Sequence, residues 1–234
     1  MMKQILFVML LGLVVVSCEK NTENTMVLTG NIKGLKKGTL YLQQAKDSTL
    51  VVLDSLEING DGNFSFTEEV VTPDIFYLYL DKKDNNDIND RITFFGEPGQ
   101  INIKTAWNTF DTKAEITGSK SQEKMEEFYD MTSKFNIREL SLVQQASIPE
   151  FQADSLALDS LQNLVDQNTI RKFRYALNFG LNNGDSYATP YLMVTEVSQA
   201  NPKYLDSIYK VLTPEVADSK YGKALKELLD RKKN

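Results

Sequence analysis

The sequence predicts an α+β protein, an antiparallel β-sandwich followed by an α-helical region packed against it. Three observations carry this. From Met26 the apolar residues alternate with period two, in short runs broken by turn residues every ten positions or so. At Gly118-Ser119 the spacing changes to the threes and fours of a helix. The run Phe76-Tyr77-Leu78-Tyr79-Leu80 is apolar or aromatic on both faces. That marks a central strand, or one covered from outside the sandwich, and the later helices are the obvious cover.

The chain opens on a leader. Lys3 is its only charge, Ile5 to Val16 is apolar or uncharged, and Ser17-Cys18 closes it. A spanning helix needs about 20 apolar residues, so this run is too short to cross a bilayer and fits a secretory signal. Residues 1–17 are therefore read as a signal peptide. Val15-Val16-Ser17-Cys18 resembles the bacterial lipobox, which implies diacylglycerol on the Cys18 thiol and acylation of the new amino terminus. Such acyl chains would hold the protein to a membrane, since each buried CH₂ contributes about 0.8 kcal/mol. Residues 18–25 are polar after the cysteine and read as a tether.

Residues 26–118 read as the sandwich. Val27 to Ile32 and Thr39 to Leu42 alternate around Gly34-Leu35-Lys36-Lys37-Gly38 and predict a hairpin. Thr49 to Ile58 is rich in β-branched residues. Asn59-Gly60-Asp61-Gly62 predicts a second hairpin, because such pairs tolerate the positive φ of a type I′ turn. Asn63 to Thr67 follows, with Phe64 and Phe66 on one face. Ile75–Leu80, Arg91–Phe95, Gln100–Lys104 and Lys113–Ile116 are further strands, with a tight turn at Glu97-Pro98-Gly99. The polar loop Asp81–Asp90 lacks the spacing of an EF-hand and reads as a solvated hairpin loop rather than a calcium site.

Residues 119–234 read as helical. Ser119-Lys120-Ser121-Gln122 fits a capping box, and Met125, Phe128, Thr132 and Phe135 share one face. Pro149 is placed to start a second helix, with a stripe of Leu156, Leu161, Leu164, Val165 and Ile170 read as core. Gly180 to Asp185 ends it. Thr189-Pro190, Asn201-Pro202 and Thr213-Pro214 each set a capping residue before a proline at a helix start. Leu205, Ile208, Tyr209 and Leu212 form one buried face, and Leu225, Leu228 and Leu229 another.

Composition excludes much chemistry. There is no histidine, which removes Ser-His-Asp and Cys-His catalysis and histidine metal sites. Cys18 is the only cysteine, and lipidation would consume it, so no disulfide, CxxC pair or thiolate metal site is expected. No cofactor is expected. The net charge of −6 and the absence of a basic block argue against a nucleic-acid partner. Candidate binding residues are Trp107, Phe110, Tyr77 and Tyr79. Trp107 is the only tryptophan and lies with Phe110 between two strands. The pair either plugs the end of the core or forms an exposed platform for a glycan, peptide or protein partner.

Val27-Leu28-Thr29-Gly30-Asn31-Ile32, Gly38 to Leu42, Asp54-Ser55, Gly62 to Phe66, the junction Ile116-Thr117-Gly118-Ser119 and the helical pairs up to Leu229 resemble the DUF4369 domain, a likeness that covers nearly all of the chain after the leader. In Bacteroidota that domain commonly sits in lipoproteins ahead of a thioredoxin-like domain of the TlpA or ResA type. The resemblance implies a cell-envelope lipoprotein at the outer membrane. It brings no catalytic residues, and without a CxxC it brings no redox activity. The expected function is a non-catalytic, lipid-anchored binding or scaffolding module. The alternatives are an accessory subunit of a separate thioredoxin-like or other envelope enzyme, and a carboxylate-dependent hydrolase. An aromatic groove between sandwich and helices would favour a small ligand or peptide. A flat exposed apolar patch would favour a protein partner, and facing carboxylates in a cleft a hydrolase.

Overall fold

The computed structural model describes residues 22–46, 49–82 and 90–233. The signal peptide, Cys18 and the first half of the expected tether lie outside the described residues, as do residues 83–89 of the 81–90 loop. Eight strands follow the period-two runs: β1 (Thr25–Lys33), β2 (Lys37–Lys46), β3 (Thr49–Asn59), β4 (Asn63–Glu69), β5 (Asp74–Asp81), β6 (Asp90–Gly96), β7 (Gly99–Ala106) and β8 (Glu115–Thr117). They form two four-stranded sheets, in the orders β4-β1-β7-β8 and β3-β2-β5-β6. Pairing is antiparallel except between β1 and β7, which run parallel. The strand β1 begins at Thr25, inside the stretch read as tether.

Two expected hairpins are sheet-to-sheet corners instead. The strands β1 and β2 lie in different sheets, and so do β3 and β4. The two corners are bonded to each other: Ile32 N–H donates to Gly62 O at 2.9 Å, and Gly60 N–H donates to Lys36 O at 3.0 Å. Gly62 is required twice over. Its φ is +74°, and a Cβ there would stand 2.3 Å from Ile32 O. The turn chemistry was legible, but local chemistry does not choose which strand a reversed chain will pair with.

The inner faces of the two sheets meet in one apolar core. Met26, Leu28, Ile32, Phe64, Phe66, Ile101 and Ile103 oppose Leu40, Leu42, Phe76, Leu78, Leu80, Ile92 and Phe94, all buried. The central strand β5 presents the other parity, Ile75 and Tyr77, to the helices, as its two apolar faces foretold. Ile75 and Phe95 join a second core with Met125, Phe128, Phe179, Leu192, Ile208 and Leu229.

The helices are α1 (Lys120–Ala146), α2 (Pro149–Gln152), α3 (Ser155–Asn182), α4 (Ala188–Glu196), α5 (Pro202–Val211), α6 (Pro214–Ala217) and α7 (Lys220–Lys233). The helices α1 and α3, each about 40 Å long at 1.5 Å per residue, pack antiparallel along a heptad-spaced seam. Met125, Phe128, Thr132, Phe135 and Leu142 supply one side. Leu161, Val165, Asn168, Lys172, Tyr175 and Phe179 supply the other. Phe128 and Phe179 rings meet at 5.3 Å, and Asn168 Nδ2 donates to Phe135 O at 2.8 Å.

This seam corrects the stripe expected for α3. Leu156, Leu164 and Ile170 are exposed rather than core. The seam recruits Asn168 and Lys172, whose polarity hides it from an apolar count. Pro149 starts only the single turn α2. The long helix starts at Ser155, where the Asp154 carboxylate accepts from Leu156 N–H and Ala157 N–H. Thr189 does not cap α4. It lies inside that helix and donates its hydroxyl to Asn183 O, while Ser186 Oγ accepts from Ala188 N–H. Asn201 caps α5 as expected, accepting from Lys203 N–H at 2.9 Å.

Candidate functional site

Three contacts fix the helical layer to the outer face of the β3-β2-β5-β6 sheet. At Gly118 (φ +96°) the chain leaves β8; a Cβ there would lie 2.0 Å from Gln100 O. Ser119 Oγ then accepts from Gln122 N–H at 3.1 Å, which is half of a capping box. The reciprocal half is not made. Gln122 Oε1 reaches across to accept from Phe95 N–H at 2.9 Å, and Gln122 Nε2 donates to Glu126 at 2.8 Å. Glu97 takes over the first turn of α1, accepting from Lys120 N–H and the Ser121 hydroxyl. At the other end, Lys220 Nζ bridges Asp74 (2.9 Å) and Ala45 O (2.9 Å), holding the start of α7 to β5 and β2.

Between these clamps runs a band of tyrosines. On the outer face of the sheet, Tyr41 and Tyr79 are cross-strand partners stacked at 5.8 Å. The Arg91 guanidinium lies 5.7 Å from the Tyr77 ring and 5.6 Å from the Tyr79 ring. The helices contribute Tyr129, Tyr191 and Tyr221. Tyr191 stands edge-on to Phe95 at 5.6 Å and to Tyr221 at 4.9 Å. The band opens into a groove of about 340 Å³ lined by Thr93, Gln122, Met125, Glu126, Tyr129, Asp130 and Tyr191.

The three hydroxyls that the helices contribute, on Tyr129, Tyr191 and Tyr221, are held in the neutral form. Burial raises Tyr129, helped by neighbouring Tyr191 and by Glu196, to which its hydroxyl donates at 3.0 Å. Burial likewise raises Tyr191, with Tyr77 and Glu196 adding to it, and raises Tyr221, with Asp74 the next cause. Beside Tyr77, its cross-strand partner Gln43 is buried with an Oε1 that has no hydrogen-bond partner. The aromatic faces of the band are groups that bind peptides and glycans by stacking. Glu126 and Asp130 both project from one turn of α1, so the two carboxylates share a wall rather than facing across the groove.

The candidate residues separate. Tyr77 and Tyr79 lie in the band. Phe110 does not form a platform: it is 1% exposed, in the sandwich core. Trp107, in a single 3-10 turn, is 46% exposed and lies over Gly34 at one end of the sandwich, with Lys82 Nζ 5.8 Å from its ring. The adjoining residues thus divide the two alternatives between them. Tyr129, Tyr191, Tyr221, Arg91 and Gln43 had no individual signal in the sequence. Only the outward parity of Tyr77 and Tyr79 pointed to the place.

Residues 26–125 match DUF4369, a domain of unknown function, so the match ends in α1 and does not run on through the helical pairs to Leu229. Among curated proteins none matches the chain. The DUF4369 match takes in all eight strands and the first turns of α1. It therefore includes the sheet wall of the groove and the Gln122 joint. Tyr129, Asp130 and Tyr191 on the other wall lie beyond it. No helix among the described residues is long and apolar enough to cross a membrane.

Proposed function

We propose that this protein is a non-catalytic binding module of the cell envelope, anchored through a lipidated Cys18, which takes an extended peptide or glycan along the tyrosine band. The observation that carries this is the groove of about 340 Å³ between sheet and helices, walled by the Tyr129 and Tyr191 rings and continuous with the tyrosine band. The leader ending in Val15-Val16-Ser17-Cys18 supports the anchor. The DUF4369 match supports a place among Bacteroidota lipoproteins related to the amino-terminal region of thioredoxin-like proteins.

Two measurements test the proposal. Metabolic labelling with an alkyne fatty acid should mark the wild type and not Cys18→Ala; equal labelling of both would remove the anchor. Peptide and glycan arrays should yield ligands of the wild type that Tyr79→Ala and Tyr191→Ala, checked for an unchanged fold, bind at least about tenfold more weakly. Ligands held equally by all three proteins would place binding elsewhere. A second reading, an accessory subunit of an envelope enzyme, is favoured by the apolar residues that α1 and α3 expose, among them Ile137 (67%) and Leu156 (79%).

A further inference from the structure

The seam used by α1 covers one face of α3. On the opposite face, Ile170, Phe173, Leu177 and Leu181 recur at helical spacing and form a second apolar stripe about 16 Å long. The amino-acid spacing is that of a helix meant to be covered on both sides. Phe173 and Leu177 are partly buried against the second core, and Ile170 and Leu181 stay exposed. At Gly180, α3 receives Ile208 of α5 and Met193 of α4, close enough that a Cβ on Gly180 would sit about 3 Å from both. Beside that contact the stripe opens into a groove of about 540 Å³, walled by Tyr204 of α5. Ile170 is 50%, Leu181 42% and Tyr204 53% exposed.

The lip of this groove is cationic. Arg174 lines it, and Arg171 lies one turn before on the same side of α3. Both are exposed, and neither has an ion-pair partner among the described residues. No carboxylate lines the groove, in a chain whose net charge is −6. An apolar floor at helical spacing, continuous with an existing helix–helix contact and edged by two unmatched arginines, is complementary to one kind of object. We infer that this groove docks an amphipathic helix of a partner protein, its apolar stripe on Ile170, Phe173, Leu177 and Leu181 and its acidic flank on Arg171 and Arg174. The apolar stripe supplies the contact, and the arginines set the orientation and exclude basic helices.

The test uses the intact protein and three probes. These are a synthetic three-turn amphipathic helix with a leucine stripe and glutamates on its flanks, its twin with lysine for glutamate, and hexadecanoate. Binding is read by calorimetry and by amide shift changes at groove residues. The acidic probe should bind about tenfold tighter than the basic twin and weaken as salt rises. Arg171→Glu with Arg174→Glu, both at exposed positions, should reverse that preference. Ile170→Asp should abolish binding of both helices. Equal affinity for the two helices, or a preference that the double reversal leaves unchanged, overturns the assignment. So does an absence of groove shifts with either helix. Groove shifts with hexadecanoate alone would make the groove an acyl-chain site and overturn it as well.

Discussion

The joint between α1 and β6 rests on one side chain, and Gln122→Met isolates it. Gln122 is 3% exposed, and its Oε1 is the acceptor for the Phe95 N–H at 2.9 Å. Methionine fills nearly the same volume without an acceptor, so the change removes the Phe95 bond, together with the Nε2 bond to the exposed Glu126, and not the packing. Phe95 is fully buried, with helices over its outer face. Its N–H therefore has no water to turn to. Leaving a buried donor unsatisfied costs about 1–3 kcal/mol. We expect a loss of about 2 kcal/mol, and at about 2–4 °C per kcal/mol for a chain of this size, a fall in Tm of about 4–8 °C. Ser119→Ala is the control. It removes the cap on Gln122 N–H at a comparable cost of about 1 kcal/mol and leaves the Phe95 bond intact. Calorimetry gives the stabilities, and hydrogen exchange reads the Phe95 amide. Gln122→Met should accelerate that amide well beyond what Ser119→Ala does. If the methionine variant melts within about 1 °C of wild type, or if its Phe95 amide stays as protected, the joint is held by apolar packing alone.

Phe110→Ala should cost about 3–5 kcal/mol in denaturant unfolding, because it empties a site in the sandwich core. Trp107→Ala, at a half-exposed site that only covers Gly34, should cost about 1 kcal/mol; equal losses would contradict the division between the two residues. Stability should also fall in alkali. Tyr129, Tyr191 and Tyr221 all have folded pKa values raised above 10, so their contribution is complete below pH 10. It is lost as the pH climbs from there toward the folded values, since the unfolded chain releases its protons first. A Tm that stays level above pH 10, or tyrosinate absorbance that appears before unfolding, would show these hydroxyls to be solvated.

Alternation and turn residues were enough to locate all eight strands, because the free energy of burying every second side chain is written locally in each run. They could not assign partners. Asn59-Gly60-Asp61-Gly62 does reverse the chain, yet it carries it to the other sheet, since pairing depends on which distant strand offers a matching face. The same limit applies to the helices. An apolar residue states that it prefers burial and not what will bury it. By spacing Leu156, Leu164 and Ile170 read as core, yet they are exposed, while the seam takes Asn168 and Lys172 because α1 offers Phe135 O and Asn136 Oδ1 as acceptors. The absence of histidine, the single cysteine and the two apolar faces of β5 needed no structure to be read. The candidate site needed one. Tyr77 and Tyr79 come from β5, and Tyr129, Tyr191 and Tyr221 from three helices. Hydrogen bonds and ring contacts form between whatever packing brings within a few ångströms, and only the tertiary fold brings these five side chains together.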